Sequence, residues 1–397
     1  MRIVVISDWF AEQTGYAENC LPKAFATLGH DVHLVTSNVQ PYYNLSTYAQ
    51  TYERFLGPPI VAAGVKPLDG YTLHRLPYRE WRGRLHLQGL YGTLRKLRPD
   101  VVQTFDIHTL STYVTVLGKI LTGYRVFLEA HTHASVIDMD PASLTRKRRF
   151  HLWAYRNLLG PLVSHFSDRC YPISPDAADI ATHHHGIQKD KVVVESLGVD
   201  ADVFQPADTP ERKDGRRRLR EQLGFGEQEI VCVYTGRFSA DKDPLCLAKA
   251  IDRLVAAGQP YRGLFVGNGP QESAISALRG NVVHEFVPFK EVARFYHASE
   301  IGVWPRQEST SQLDAAACAL PLILSDTITV RERVEGNGLL YREGSDEALA
   351  NRLLELRDPA VRTVMGEHGA AKVREQFSWD VIARRRIHDY EEALGRS

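Results

Sequence analysis

The sequence predicts an α/β protein made of two doubly wound domains, and three observations predict it. Short apolar runs alternate with helical patterns along almost the whole chain, the signature of parallel sheets covered on both faces. The rhythm breaks once, near residues 200–215, and then restarts. At 397 residues the chain is too long for one ordinary core, so two domains are expected, or three.

"RIVVIS" reads as the first strand. "ENCLPKAFATLGH" is a helix, with Leu21, Phe25 and Leu28 on one face and Gly29 near its end. "DVHLVTS" is the next strand; later come "YTLHRLP", the helix "GLYGTLRKLRPD" and "VVQTF". "HTLSTYVTVLGKILTG" is a helix, "YRVFLEAH" a strand and "WAYRNLLGPLVSHFS" a helix. "RCYPIS" and "KVVVES" are strands flanking the helix "PDAADIATHHHG". The stretch "LGVDADVFQPADTPERKDGRRRLREQLG", with its prolines and charge cluster, reads as a boundary. Beyond it the strands are "EIVCVYTG", "RGLFVGNGP", "VVHEFVP", "IGVWPR" and "PLILSD". The helices between them are "DPLCLAKAIDRLVAAG", "QESAISALRG", "KEVARFYHAS" and "LDAAACAL", and three more close the chain.

Lys plus Arg equals Asp plus Glu, 48 against 48. There is no global basic field to recruit nucleic acid, though a local anion site is still allowed. Five cysteines, an odd count without a C-x-x-C pair, argue against a disulfide framework and a zinc site. They fit a reducing compartment. "MRIVVISDWF" is too short an apolar run for a signal peptide, and nothing approaches a membrane span. The expectation is a cytoplasmic protein, with peripheral contact at the inner face of the membrane left open.

In open α/β sheets, ligands bind at the carboxyl ends of strands. Arg237 and Lys242 stand where the strand "EIVCVYTG" hands over to a helix. A helix N-terminus already favours an anion, and two cations added there suit a diphosphate. A pair of solvated surface cations has the same spacing. Gly267-x-Gly269 in "VGNGP" lacks the third glycine of a dinucleotide fingerprint and reads better as a structural turn. Glu308 and Asp314 flank the turn Ser309-Thr310-Ser311. Either acid could cap the following helix or accept hydrogen bonds from ribose hydroxyls. His131 and His133 follow a strand with the period that puts them on one side, and no third metal ligand is evident. Gly15-Tyr16 lies in the loop after the first strand.

"DMD" (138–140) and "DAD" (200–202) match a loose metal motif at a frequency expected by chance. "HHH" (183–185) reads as a solvated helix end. The cation-and-aromatic stretch 144–160 fits a surface helix or a membrane contact. The aromatic loop 40–55 fits sugar stacking or packing on its own domain.

Taken in order, "LGHDVHLVTS", "EAHTH", "VVVESLGVDADVFQP", "YTGRFSADKDP", "LFVGNGP", "QESTSQLDAAACALPLI" and "FSW" resemble the retaining glycosyltransferases of family 4, with the GT-B fold. "GRFSADKDP" is similar to that family's G-R-x-x-x-x-K-G. The resemblance covers nearly the whole chain. It implies two Rossmann-like domains facing a central cleft. The acceptor-side domain would take residues 1–205 and the donor domain 206–376. A C-terminal helix, 377–397, would pack back on the first domain. It implies catalytic roles for Arg237, Lys242, Glu308 and His131. It implies donor contacts from Gly15, Tyr16, Gly236, Gly267, Ser309, Thr310, Ser311 and Asp314. The partners would be a nucleotide-diphosphate sugar, built on UDP or GDP, and a glycan, lipid-linked sugar or small-molecule acceptor. No metal and no other cofactor is expected, because the two cations would do a metal's work.

The sequence departs from the family pattern at several points. The family's paired acids follow E-x7-E, whereas five residues separate Glu308 from Asp314. Ser309, Thr310, Ser311 and Gln312 replace Gly-Phe-Gly-Leu, Asp314 replaces Glu, and Gly15-Tyr16 replaces Gly-Gly. Alternatives are a nucleotide-sugar binding protein without catalysis and a related sugar-phosphate synthase or epimerase. A nicotinamide oxidoreductase fits least, for want of the glycine fingerprint.

Overall fold

The fold is taken from a computed structural model that describes residues 1–81, 83–132 and 145–396, without the side chains of Gln50, Thr51 and Arg148. The chain forms two compact units. One holds Met1–Leu197 with Ile382–Ser397, and the other Gly198–Val381.

The strands of the first unit are β1 (Arg2–Ser7), β2 (Asp31–Ser37), β3 (Gly64–Leu68), β4 (Tyr71–Leu76), β5 (Tyr78–Trp81), β6 (Arg84–Leu87), β7 (Val101–Phe105), β8 (Arg125–Ala130) and β9 (Arg169–Pro172). Seven form one sheet in the order β3-β4-β2-β1-β7-β8-β9, while β5 and β6 pair separately. All pairs in the large sheet are parallel except β3–β4. That hairpin turns at Asp69-Gly70, both with positive φ, as a two-residue turn requires. β1 lies mid-sheet, with Ile3, Val4, Val5 and Ile6 buried, which is why it reads as an unbroken apolar run. β3 and the β5–β6 hairpin were not legible in the sequence: Pro67 and exposed polar residues obscure them, and only edge positions tolerate such content.

The expected strand "KVVVES" is not one. Val193 and Glu195 donate backbone hydrogen bonds to Cys170 and Pro172 of β9, but Val193 and Val194 stay exposed. The segment borders the sheet without extending its ladder.

The second unit holds β10 (Ile230–Thr235), β11 (Tyr261–Val266), β12 (Asn281–His284), β13 (Ile301–Trp304), β14 (Leu322–Ser325) and β15 (Gly338–Tyr341). They form one parallel sheet, β12-β11-β10-β13-β14-β15. β15 was not expected, being four residues opened by a glycine. The stretch that reads as a boundary contains the helix Pro210–Gln222. Thr209 caps it by accepting from the Arg212 N–H, and Arg220 reaches Glu300 at 3.1 Å. Arg216 and Arg220 are therefore tied to Glu300 beside the sheet, while Arg217 and Arg218 pair within the helix.

In each sheet one strand stands where the order turns about. β1 has β2 on one side and β7 on the other; β10 has β11 and β13. The carboxyl end of such a strand is where this architecture leaves a crevice. All five cysteines are buried and none is in a disulfide. No helix among the described residues is long and apolar enough to cross a membrane.

Candidate functional site

In the second unit, β10 runs directly into Gly236 and Arg237. Three glycines shape this edge: Gly236, Gly267 and Gly269 have φ of +143°, +154° and +148°. A Cβ on Gly267 would stand 1.9 Å from the Gly236 carbonyl oxygen. Its missing side chain thus serves the close approach of two strand ends, as the turn reading expects. Asp243, with φ +48°, precedes the helix Pro244–Ala256 without a side-chain cap, its carbonyl accepting from the Cys246 N–H at 3.1 Å, so a helix N-terminus lies beside the cations.

The Arg237 side chain is half exposed and meets Asp241 at 3.3 Å. Lys242 is more enclosed, and its Nζ donates to the Glu308 carbonyl oxygen at 3.0 Å. Burial, then the neighbouring Arg237 charge, hold the Lys242 ammonium below its ordinary pKa. A pair of cations, one of them partly desolvated, with Asp241 as the one ion-pair partner of Arg237 among the described residues, suits an anion.

Glu308 and Asp314 differ in state. The Glu308 carboxylate accepts from the Thr329 N–H at 2.8 Å and the Thr329 hydroxyl at 3.0 Å. Burial pushes its pKa up, but these hydrogen bonds outweigh burial and leave it below the usual range. Asp314 is buried in the helix Thr310–Ala317, and its carboxylate accepts no hydrogen bond from the described residues. Burial, then the Asp200 charge, push its pKa well up. Such an acid is free to bind hydroxyls. Counted back from Asp314 by the family's spacing, the first acid's place is held by Arg306, whose guanidinium pairs with Glu343 at 2.8 Å. Ser309 stands at the N-cap of this helix, Thr310 is exposed and Ser311 half-buried.

The sequence reading missed Arg333. It is buried, and it donates to the Ser309 carbonyl at 3.1 Å and to Gln312 Oε1 at 3.3 Å. Thr329 and Arg333 together brace the acidic loop from the segment after β14. The signal available was the pair of arginines in "VRERV", which carries no local hint of burial. Asp200 of the "DAD" triplet accepts from the Asp202 N–H at 3.1 Å, a local turn. No group of three metal-ligating side chains occurs among the described residues.

In the first unit, β1 leads into a loop that ends at Gly15-Tyr16. Asn19 Oδ1 closes it by accepting from the Tyr16 N–H at 3.2 Å and the Thr14 hydroxyl at 2.9 Å. Tyr16 precedes the helix Ala17–Thr27, whose Glu18 is buried. Burial pushes the Glu18 carboxyl up to about 7, against the pull of a hydrogen bond from its own backbone N–H and then of His131. His131, just past β8, has Nε2 3.2 Å from Glu129 Oε2 and lies edge-on to Phe105. Glu129 is buried, accepts from Gln103 Nε2 at 2.5 Å and faces Arg386 at 3.0 Å. Arg386 also pairs with Glu195 and sits over the Tyr171 ring at 3.3 Å. Glu18, Glu129 and Arg386 were not singled out in the sequence. The acid inside the apolar run "RVFLEA" was the available signal.

His133 and the "DMD" triplet lie outside the described residues. The "HHH" stretch is not wholly solvated: His185 packs edge-on against His108 at 4.5 Å between ring centres. A wide π-helical turn, Ile180–His184, precedes it, and burial holds the His185 pKa below the ordinary value.

Residues 21–203 match the family model described as Glycosyltransferase Family 4, and residues 229–358 that of Glycosyl transferases group 1. A GDP-mannose-dependent monoacylated alpha-(1-6)-phosphatidylinositol monomannoside mannosyltransferase of Corynebacterium glutamicum is 30% identical over 205 residues, 47% of this chain and 53% of that protein. A D-inositol 3-phosphate glycosyltransferase of Stackebrandtia nassauensis is 25% identical over 370 residues, 84% of this chain and 80% of that one. The matches span about half the length of the first curated relatives. A glycosyltransferase structure from Rickettsia africae superposes with a TM-score of 0.70 at 14% identity, covering 100% of this chain and 99% of that one. This last likeness is one of fold, the GT-B type with two Rossmann-like domains. The two family models fall on the two sheets in turn, and the chain belongs to the group 1, family 4 glycosyltransferases.

Proposed function

We propose that this chain is a retaining glycosyltransferase that moves a sugar from a nucleotide-diphosphate sugar to a glycan or glycolipid acceptor without a metal. The observation that carries the reading is the cation pair Arg237 and Lys242 at the carboxyl end of β10, beside a helix N-terminus. Arg237 and Lys242 take the diphosphate and stabilise the charge that grows on it as the sugar leaves. Asp314 takes the ribose hydroxyls. The bond from the anomeric carbon to the phosphate oxygen breaks as the bond to the acceptor oxygen forms on the same face. The departing phosphate accepts the acceptor's proton, so no protein nucleophile is needed. Orientation and electrostatics supply the rate. The relative named for GDP-mannose makes guanosine diphosphate the first donor base to try.

A lipid-linked acceptor fits one surface of the first unit. Phe150, Trp153 and Leu158 are exposed on a stretch, residues 145–167, that holds Arg146, Lys147, Arg149 and Arg156 and no acid. Aromatic and basic side chains together suit an anionic membrane surface, at the cytoplasmic face. Flotation with phosphatidylglycerol vesicles, and none with phosphatidylcholine, is the expected result.

The reading is tested by thermal shift with UDP, GDP, ADP and dTDP, with and without EDTA. A ligand of the folded state must raise stability. An EDTA-insensitive shift with one nucleotide, followed by transfer from its sugar conjugate, is expected. No shift with any of them would sink the reading. A binding protein without transfer is the second reading, favoured by the engagement of Glu308 with Thr329. A normal shift with neither transfer nor donor hydrolysis would decide for it. Product analysis with and without acceptor separates both from a sugar-phosphate synthase or epimerase.

A further inference from the structure

β8 carries an acid where a buried strand ordinarily carries an apolar residue. Glu129 is 2% exposed. It lies two residues before His131, at the carboxyl end of the strand, the end at which such sheets bind ligands. We propose that Glu129 is a positioning residue that fixes the neutral His131 imidazole as the Nε2–H tautomer, so that Nδ1 is presented as an acceptor to a sugar hydroxyl. The sugar rests on the transferase reading; the tautomer does not.

The two carboxylate oxygens are divided between different donors. Oε1 accepts from Gln103 Nε2 at 2.5 Å and faces Arg386 Nη1 at 3.0 Å. Gln103 is kept from turning its amide over, because its own oxygen accepts from the Tyr390 hydroxyl. Gln103 and Tyr390 are both fully buried. Oε2 is left for His131, whose Nε2 stands 3.2 Å away. A carboxylate beside a guanidinium only accepts, so the imidazole donates and its proton sits on Nε2. Nδ1 then carries a lone pair, without a partner among the described residues. The His131 side chain is 30% exposed, so a ligand can reach it.

Glu18, the other acid near His131, acts on it through charge and takes its hydrogen bond from its own backbone N–H. Orientation of the ring therefore falls to Glu129, with Phe105 edge-on at 5.3 Å.

The same division of oxygens fixes what glutamine does in place of the acid. Its carbonyl oxygen stays with Gln103 and Arg386, since an NH2 group there would meet two donors. Its NH2 then faces His131 Nε2, which has to accept, and the imidazole proton moves to Nδ1. Glu129→Gln thus turns Nδ1 from an acceptor into a donor.

The test is long-range proton–nitrogen correlation NMR of the histidine rings at pH 8, with His131→Gln to assign the resonance among the 16 histidines. Wild type is expected to show the Nε2–H tautomer and Glu129→Gln the Nδ1–H tautomer, with thermal melts checking that both are folded. Turnover of the nucleotide sugar selected by thermal shift should fall in kcat by about tenfold, the equivalent of one hydrogen bond. Nucleoside diphosphate affinity should be unchanged. Loss of both donor hydrolysis and transfer puts the hydroxyl on the donor sugar; loss of transfer alone puts it on the acceptor. An Nδ1–H tautomer or an imidazolium in wild type, the same tautomer in both proteins, or an inverted tautomer with unchanged turnover overturns the proposal. The wild-type spectrum decides alone if Glu129→Gln does not fold. The expected tautomers without any turnover in wild type sink the transferase reading and leave Glu129 in its positioning role.

Discussion

β1 and β10 occupy the same place in two sheets of the same kind, each at the strand where the order turns about. After β10 the chain presents cations: Arg237 and Lys242 stand beside a helix N-terminus, within six residues of one another. After β1 it presents acids instead. Asp8 and Glu18 come from the loop and the helix that follow, and Glu129 comes from a strand two places away in the sheet. The cationic end is half open to solvent; the acidic end is buried and cross-braced. The difference teaches how each end works. A diphosphate brings its own charge and needs only donors that wait for it. Carboxylates buried at the other end are held by partners from elsewhere in the chain, Gln103 and Arg386 among them.

The comparison breaks most visibly at Arg386. Replacing it with Leu removes the guanidinium shared by the buried Glu129 and Glu195 and leaves them only Gln103 with His131, and Arg385, respectively, at a cost of about 3–5 kcal/mol. Chemical denaturation should show that loss and should release His131 from its orientation. A near-neutral Arg386→Leu would mean the acidic end is not braced as described.

Glu18 tests the same end through pH. Its folded pKa, about 7, lies above the ordinary 4.5, so the native state keeps the proton longer than the unfolded chain. Below pH 4.5 the group exacts no penalty. As pH rises the penalty grows, and it is complete above about 7. Glu18→Gln should therefore be more stable than wild type at pH 8, by up to about 3 kcal/mol. The gain should vanish at pH 4. Melting at the two pH values checks it, and a gain independent of pH counts against a buried, half-protonated acid.

At the cationic end, Arg237→Ala should leave stability unchanged, because that side chain is half exposed. It should weaken nucleoside diphosphate binding by about 1.5–3 kcal/mol, the contribution of a charge-assisted hydrogen bond. Titration calorimetry reads this directly. Equal binding by the variant would remove Arg237 from the site.

The smallest effect expected is at Thr329→Val. It removes one hydrogen bond to Glu308, costs about 1 kcal/mol of stability and should leave turnover within a few-fold of wild type. A collapse of turnover would instead place Glu308 at the reacting sugar, where the family pattern puts its first acid.

The cationic end was legible because it is local. Arg237, Lys242 and the helix that begins at Pro244 follow one strand without interruption, so spacing alone brought them together. The strands with apolar cores were legible for the same reason, since period and composition are short-range signals. "KVVVES" shows the limit. Its residues suit a strand, but a strand also needs a neighbour with a free edge, and sequence period does not supply one. β15 shows the converse, four residues that became a strand because β14 offered an edge.

By itself the sequence determined the α/β rhythm, two sheets and a pair of cations at a strand end, because hydrophobic period and strand-to-helix spacing act over a few residues. Tertiary structure alone decided that Glu129 meets an arginine 257 positions away, that Arg333 braces the Ser309 loop, and that the Asp8 carboxylate accepts from Ser111. Those facts depend on burial and on partners from distant segments. The energetics of a buried charge are set by what surrounds it in space, not by its neighbours along the chain.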